Sequence, residues 1–276
     1  MSDDTIAITR PSAVKTVIGP SGTKTETKYP TEIIDLPSQG YFYDENNPLS
    51  SGKVELKMMT AKEEDILTNE NLIKKGEVLN TLLQSIIIDK DIDVDDILVG
   101  DKNALFISAR RLAYGENYGP VKITCKNCQQ DSETDINLGE MKIKDFNFTN
   151  CKKGANLFSF TLPYSKRVVE YGLPTGQDEK NIEAELKSIE KISKNKAEMT
   201  TRLKFLIKSV DGNNETPYIR NFVDTELLSR DSIALRSDIR KNTPDLDMTF
   251  DFNCPHCNNS ERMDVPMTAQ FFWPNA

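Results

Sequence analysis

Four of the five cysteines in this chain fall into two pairs, Cys125-Lys126-Asn127-Cys128 and Cys254-Pro255-His256-Cys257, each closing an alternating apolar run. Thiolates spaced this way grip one side of a metal ion from a tight turn. Two such turns complete a tetrahedral four-sulfur site of the kind zinc takes. Four thiolates fill the coordination shell and leave no position for water or substrate, so the metal expected here is structural. The expected ligands are Cys125, Cys128, Cys254 and Cys257; zinc suits them, and so does iron.

The residues flanking the two pairs match without a gap. Asp135 and Asp264 each lie seven positions after the second cysteine, and Ile123 and Phe252 each lie two positions before the first. The pattern reads as two copies of one unit (strand, knuckle, polar turn, strand) facing each other across the metal. Other readings of Cys-x-x-Cys fit less well. A redox dithiol wants a strand-to-helix setting, whereas strand patterns flank both pairs here. Disulfides need an oxidising compartment, and the first residues lack a basic stretch followed by an apolar one, so a cytoplasmic place of synthesis is expected. A metal-free pair of hairpins is the remaining alternative. His256, the single histidine, reads as an exposed turn residue rather than a ligand, and Cys151 as a small core residue.

The knuckles need elements to hold them. Residues 1–30 are polar and read as a flexible arm. Residues 31–120 read as a strand plus helical region. It has an extended run from Glu32 stopped by Pro37 and Gly40, a half-buried strand at 53–58, and a short helix capped by Thr60 and Glu63. A second helix after Gly76 carries Val78, Leu79, Leu82, Leu83, Ile86 and Ile87, and a third runs from about Asp101 to Tyr114. Glu63, Glu64 and Asp65 imitate an acidic cluster, but consecutive helical residues point in different directions, and a first-turn dipole role fits better.

The ribbon-like halves occupy 121–138 and 246–274, and 139–245 reads as an inserted hairpin and helical region. A hairpin spans Phe158 to Tyr171. One long helix then runs from about Asp178 through Ile182, Leu186, Ile189, Ile192, Met199, Leu203, Leu206, Ile207 and Val210, with a polar gap at Lys194 to Lys196. A helical pair comes next, its second member opening at Ser229 as N-cap with Leu228 and Ile233 as a hydrophobic staple. The fold class expected is α+β, with short β-hairpins forming a four-cysteine zinc-ribbon-like module and helical segments packed around it.

Composition bounds the function. With 37% apolar and 28% charged residues over 276 positions, the chain is ordinary for a soluble globular protein. No apolar run reaches the roughly 18 residues of a membrane span, so no membrane partner is expected. A net charge of −8 disfavours binding to phosphate backbones, and no nucleic acid is expected. With one histidine and neither a phosphate-cradling loop nor a dinucleotide fingerprint, no catalytic constellation emerges, and the chain is not expected to be an enzyme.

Several phrases, in order around the knuckles, carry a resemblance. They are Leu36-Pro37-Ser38-Gln39-Gly40 with Phe42-Tyr43, Pro48-Leu49-Ser50-Ser51-Gly52, and Met59 through Leu67. Next come Arg111-Leu112-Ala113-Tyr114-Gly115, Leu228-Ser229-Arg230-Asp231, and Phe250 to Cys257 ending in Gln270-Phe271-Phe272-Trp273-Pro274. Over nearly everything after residue 30 the chain resembles the baseplate hub assembly proteins of T4-like contractile-tailed bacteriophages. The resemblance implies a non-enzymatic hub subunit or assembly factor, made in the host cytoplasm, whose partners are other baseplate or tail proteins; a subunit would remain in the virion. Phe271, Phe272 and Trp273 are candidates for an interface anchor, or alternatively close the ribbon core. Gly40, Gly52 and Gly115 read as turn formers. Two other readings stand beside this one: a zinc-ribbon nucleic-acid or transcription-associated module, which needs a basic face at the knuckles, and a transient assembly chaperone absent from the finished particle.

Overall fold

The computed structural model describes residues 16–18, 24–26, 30–192, 197–267 and 269–272. Inside the stretch read as an arm, β1 (Thr16–Ile18) pairs antiparallel with β2 (Lys24–Glu26). Pro30 apart, the rest of that stretch, read as flexible, lies outside the described residues; β3 (Thr31–Asp35) then pairs with β4 (Lys53–Lys57), where Ile34 and Val54 face each other across the pair and both enter the core. Helices α1 (Ala61–Leu67), α2 (Glu70–Lys75), α3 (Val78–Ile86) and α4 (Val99–Tyr114) come after them. The sequence reading has no α2. Asn69 accepts hydrogen bonds from the N–H groups of Asn71 and Leu72 and reopens a helix directly after α1, and Gly76 closes it in the left-handed region.

The first hairpin of the ribbon is β5 (Asn117–Thr124) and β6 (Asp131–Asn137); the second is β10 (Thr249–Asn253) and β11 (Ser260–Asp264). Between them lie β7 (Phe158–Thr161), β8 (Val168–Tyr171), α5 (Gly176–Ile192), α6 (Glu198–Leu206), β9 (Ile207–Val210), α7 (Thr216–Asn221) and α8 (Ser229–Lys241). A short helix, α9 (Ala269–Phe272), comes after β11. Mixed helices and short antiparallel hairpins around one four-cysteine cluster make this an α+β chain with a zinc-ribbon-like module.

Two elements differ from expectation. The long helix divides: α5 ends at Ile192, α6 starts at Glu198, and the polar gap at Lys194 to Lys196 lies outside the described residues. Its last apolar residues are not helical, because Ile207 to Val210 form β9 and pair with β8, Val210 opposite Val169. Spacings of three and four through Leu203, Leu206, Ile207 and Val210 imitate a helical stripe, and an open sheet edge with β-branched partners decides otherwise. At α8, Ser229 is the first helical residue and Leu228 the N-cap, without a side-chain cap; Leu228 and Ile233 are both exposed, so they form no buried staple.

Two buried carboxylates fasten the first half. Asp101, in the first turn of α4, accepts from the Ser38 N–H (2.9 Å), the Ser38 hydroxyl (2.6 Å) and the Tyr43 hydroxyl (2.6 Å), and the Leu98 N–H donates to Tyr43 (2.9 Å). Burial pushes the Asp101 carboxyl up, against the pull of those hydrogen bonds. Gly40 (φ 75°) and Gly52 (φ 70°) let the two loops of this clasp touch, since a Cβ on Gly40 would lie 2.4 Å from the Ser50 carbonyl oxygen. Glu63 accepts from the Thr60 N–H and hydroxyl (2.8 and 2.6 Å), the Ser85 hydroxyl (2.6 Å) and Lys57 Nζ (2.8 Å), which joins α1 to α3 and β4. Burial alone would raise its carboxyl, but Lys57, Ser85 and Thr60 together hold it at about 2.

Candidate metal centre

The two hairpins share one register. Thr124 faces Asp131 in the first as Asn253 faces Ser260 in the second, and the pairing continues outward, Ile123 with Ser132 and Phe252 with Glu261. Ile123 and Phe252 both point into the core and pin each strand at the residue pair before its knuckle. Each knuckle then closes with the same two hydrogen bonds. The Cys125 N–H donates to the Gln130 carbonyl (3.0 Å) and the Gln129 N–H to the Cys125 carbonyl (2.9 Å); the Cys254 N–H donates to Asn259 and the Asn258 N–H to Cys254, both at 2.9 Å. Gln129 (φ 58°) and Asn258 (φ 54°) take the left-handed turn at the same place, a conformation Asn tolerates better than most residues.

This symmetry brings the sulfurs together crosswise. Cys125 Sγ is 3.7 Å from Cys257 Sγ, Cys128 Sγ is 3.7 Å from Cys254 Sγ, and all four lie within 4.8 Å of one another. A tetrahedral ion with metal–sulfur bonds of about 2.3 Å needs sulfur–sulfur edges of about 3.8 Å, so the donor set fits a four-thiolate metal ion. The first cysteine of each pair is buried and the second is partly exposed. Crowding splits the thiols: the Asn127 side chain (Nδ2 to Sγ 3.5 Å) and the Asn259 N–H hold Cys257 down at about 6. At Cys128 the Gln130 N–H pulls down, but desolvation and the three other sulfurs win and push it up to about 12. A cation among the four sulfurs would relieve this crowding.

His256 is exposed, its Nε2 3.2 Å from the Asp131 carbonyl oxygen across the ribbon, and takes no part in the cluster. Cys151 packs against the core away from the cluster, and its carbonyl accepts from the Tyr41 hydroxyl at 3.1 Å. The segment after β6 bridges to the segment before β10, the Lys144 N–H donating to Asp245 (2.9 Å) and the Asp247 N–H to Lys142 (2.8 Å). Phe271 and Phe272 face inward and are buried. Phe271 meets Tyr118 of β5 edge-on at 5.0 Å, and Phe272 meets Phe106 of α4 at 5.9 Å, so they join the ribbon to the helical body rather than lying open for a partner. Trp273 lies outside the described residues.

A family model described as T4 bacteriophage base plate protein matches residues 35–273. The chain belongs to that family. The match runs from the end of β3 past α9, and so takes in the Asp101 clasp, both knuckles and the insertion between them. Neither the curated proteins nor the solved structures contain a match. As a baseplate family protein the chain has other phage tail proteins as its partners. Among the described residues no helix is long and apolar enough to cross a membrane.

The sequence reading brings Cys125, Cys128, Cys254 and Cys257 to one place and finds the Thr60–Glu63 capping box, but misses Asp101 and the bonds Glu63 makes to Ser85 and Lys57, which hold the body to which the ribbon is fixed. A signal for Asp101 exists: it stands beside Ala104 and Leu105 on a stretch whose apolar residues surround it.

Proposed function

We propose that this chain is a non-enzymatic component or assembly factor of the phage baseplate hub, and that its four cysteines hold one structural zinc ion. The observation that carries the metal reading is the crosswise sulfur tetrahedron built by two hairpins in the same register. Zinc bound there would tie residue 125 to residue 257 and so cross-link the two ends of a long insertion, which is the mechanical property a docking part needs. All four donors are used, so the ion has no position for a reactant.

The nucleic-acid alternative needs free cations at the knuckles. Lys122 pairs with Asp131 (2.6 Å), Lys126 with Glu261 (3.6 Å), and Arg262 with Asp247, so the basic residues of the ribbon are already matched by acids.

The test is an infection in which this chain is not made. The proposal expects tails that lack a completed hub, with purified chain restoring assembly in the extract; complete, functional baseplates without the chain would refute it. Immunodetection in purified particles then separates the two forms of the role, a hub subunit remaining in the virion and an assembly chaperone leaving it.

A further inference from the structure

Helix α8 carries two carboxylates and four cations, and the fold uses them unequally. Both carboxylates are spent internally. Asp231 accepts from the Tyr164 N–H (2.8 Å) and the Ser165 N–H (2.9 Å), and Asp238 accepts from the Tyr171 hydroxyl (2.6 Å) and the Asn242 amide (3.2 Å). Arg230, Arg236, Arg240 and Lys241 form no salt bridge with any described residue, in a chain where Arg202 finds Glu179 and Arg220 finds Glu185, both at 2.6 Å. Arg240 and Lys241 lie in the last turn, where the helix dipole favours a cation, but Arg230 lies in the first turn, where it does not. A protein of net charge −8 thus presents one helix face of single positive sign.

Large apolar side chains stand among these cations. Ile233 is 58% exposed, Leu228 45%, Tyr164 64% and Met199 45%. Tyr164 and Met199 stand beside the first turn of α8, Leu228 precedes it and Ile233 begins the second. The Arg230 guanidinium lies 5.8 Å from the centre of the Tyr164 ring, the Met199 sulfur is 3.9 Å from the Ser232 hydroxyl, and the Ser232 N–H donates to the Leu228 carbonyl. Cations around exposed apolar and aromatic groups make the composition of a protein interface, with an apolar centre and a charged rim.

We infer that this face of α8 docks an acidic segment of another baseplate protein, one in which Asp or Glu side chains flank one or two apolar residues; the inference rests on the baseplate role proposed above. Charge complementarity selects the occupant: carboxylates answer Arg230, Arg236, Arg240 and Lys241, and an apolar side chain covers Ile233. A phosphate backbone would meet the cations and leave Ile233, Leu228 and Met199 uncovered.

The test uses the full chain and baseplate precursors purified from an infection in which the chain is not made. Wild-type chain is expected to bind the precursors with an affinity that falls as salt rises. Ile233→Ser and the double variant Arg230→Glu/Arg240→Glu are each expected to bind at least tenfold more weakly while unfolding at the wild-type temperature. A photocrosslinker at position 233 is expected to join an acidic segment of a precursor protein. Variants that bind as the wild type does, or crosslinks to nucleic acid, to a second copy of this chain or to a segment without acidic residues, overturn the docking assignment and leave the baseplate role standing. A wild-type chain that does not bind the precursors overturns both.

Discussion

Replacing Asp101 with alanine tests whether the Leu36 to Tyr43 phrase is a clasp for the fold. The carboxylate is buried and receives three donors, the Ser38 N–H and the hydroxyls of Ser38 and Tyr43. Hydrogen bonds to a charged group contribute about 1.5–3 kcal/mol each, and a buried donor left without an acceptor costs about 1–3 kcal/mol. Against this, the variant no longer buries a carboxylate whose pKa is raised by desolvation, which returns part of the loss. The net expectation for Asp101→Ala is a destabilisation of about 3–5 kcal/mol, or a fall in Tm of roughly 6–15 °C for a chain of this size. Urea unfolding with and without Tyr43→Phe provides the assay. Because the two residues share a hydrogen bond, the double variant should fall short of additivity by about 1 kcal/mol or more. A loss below about 1 kcal/mol, or strict additivity, would refute the clasp.

The other buried carboxylate gives a pH prediction. Glu63 is held at about 2 in the folded chain against an ordinary 4.5, so its contribution is present above pH 4.5 and lost as pH falls towards 2; Glu63→Gln should flatten acid unfolding in that window, and an unchanged profile would contradict the network. Gly40→Ala should cost about 2 kcal/mol or more, since φ is positive and the new Cβ meets the Ser50 carbonyl, and Gly115→Ala, with nothing within 4 Å but at φ 83° and ψ −178° in a region essentially reserved to glycine, should cost about 1–3 kcal/mol; chemical denaturation checks both, and an unchanged stability in either would contradict the conformational argument. Phe271→Ala should lower stability by about 3–5 kcal/mol by emptying the seam between ribbon and α4, measured calorimetrically; a loss of binding at unchanged stability would instead mark Phe271 as an interface anchor.

The four-cysteine cluster was legible because the Cys-x-x-Cys spacing sets each knuckle locally, and a gapless repeat from Ile123 to Asp135 and from Phe252 to Asp264 carries the register with it. The strands and most helices came from apolar period and caps, as at Thr60 and Gly115. The features that escaped depend on partners distant in the chain. Ile207 and Val210 become strand only because β8 offers an edge, and Asp101 and Glu63 are buried only because Ser38 and Ser85 reach them from 63 and 22 positions away. At α8 the start moved by one residue, since Ser229 enters the helix and the Leu228 carbonyl accepts the first turn's bond from Ser232. That the cations of that helix form no salt bridge becomes visible only once Asp231 and Asp238 are seen to be occupied elsewhere.

The central claim, that two matched hairpins build a four-thiolate cage for a structural metal, is tested most directly by elemental analysis and thiol titration of the purified native chain, before and after a strong chelator. The account predicts one zinc ion per chain, four of the five thiols protected until chelation, and a Cys128→Ser variant that binds no zinc and unfolds at lower temperature. A chain that carries no metal and shows five reactive thiols from the outset would contradict it.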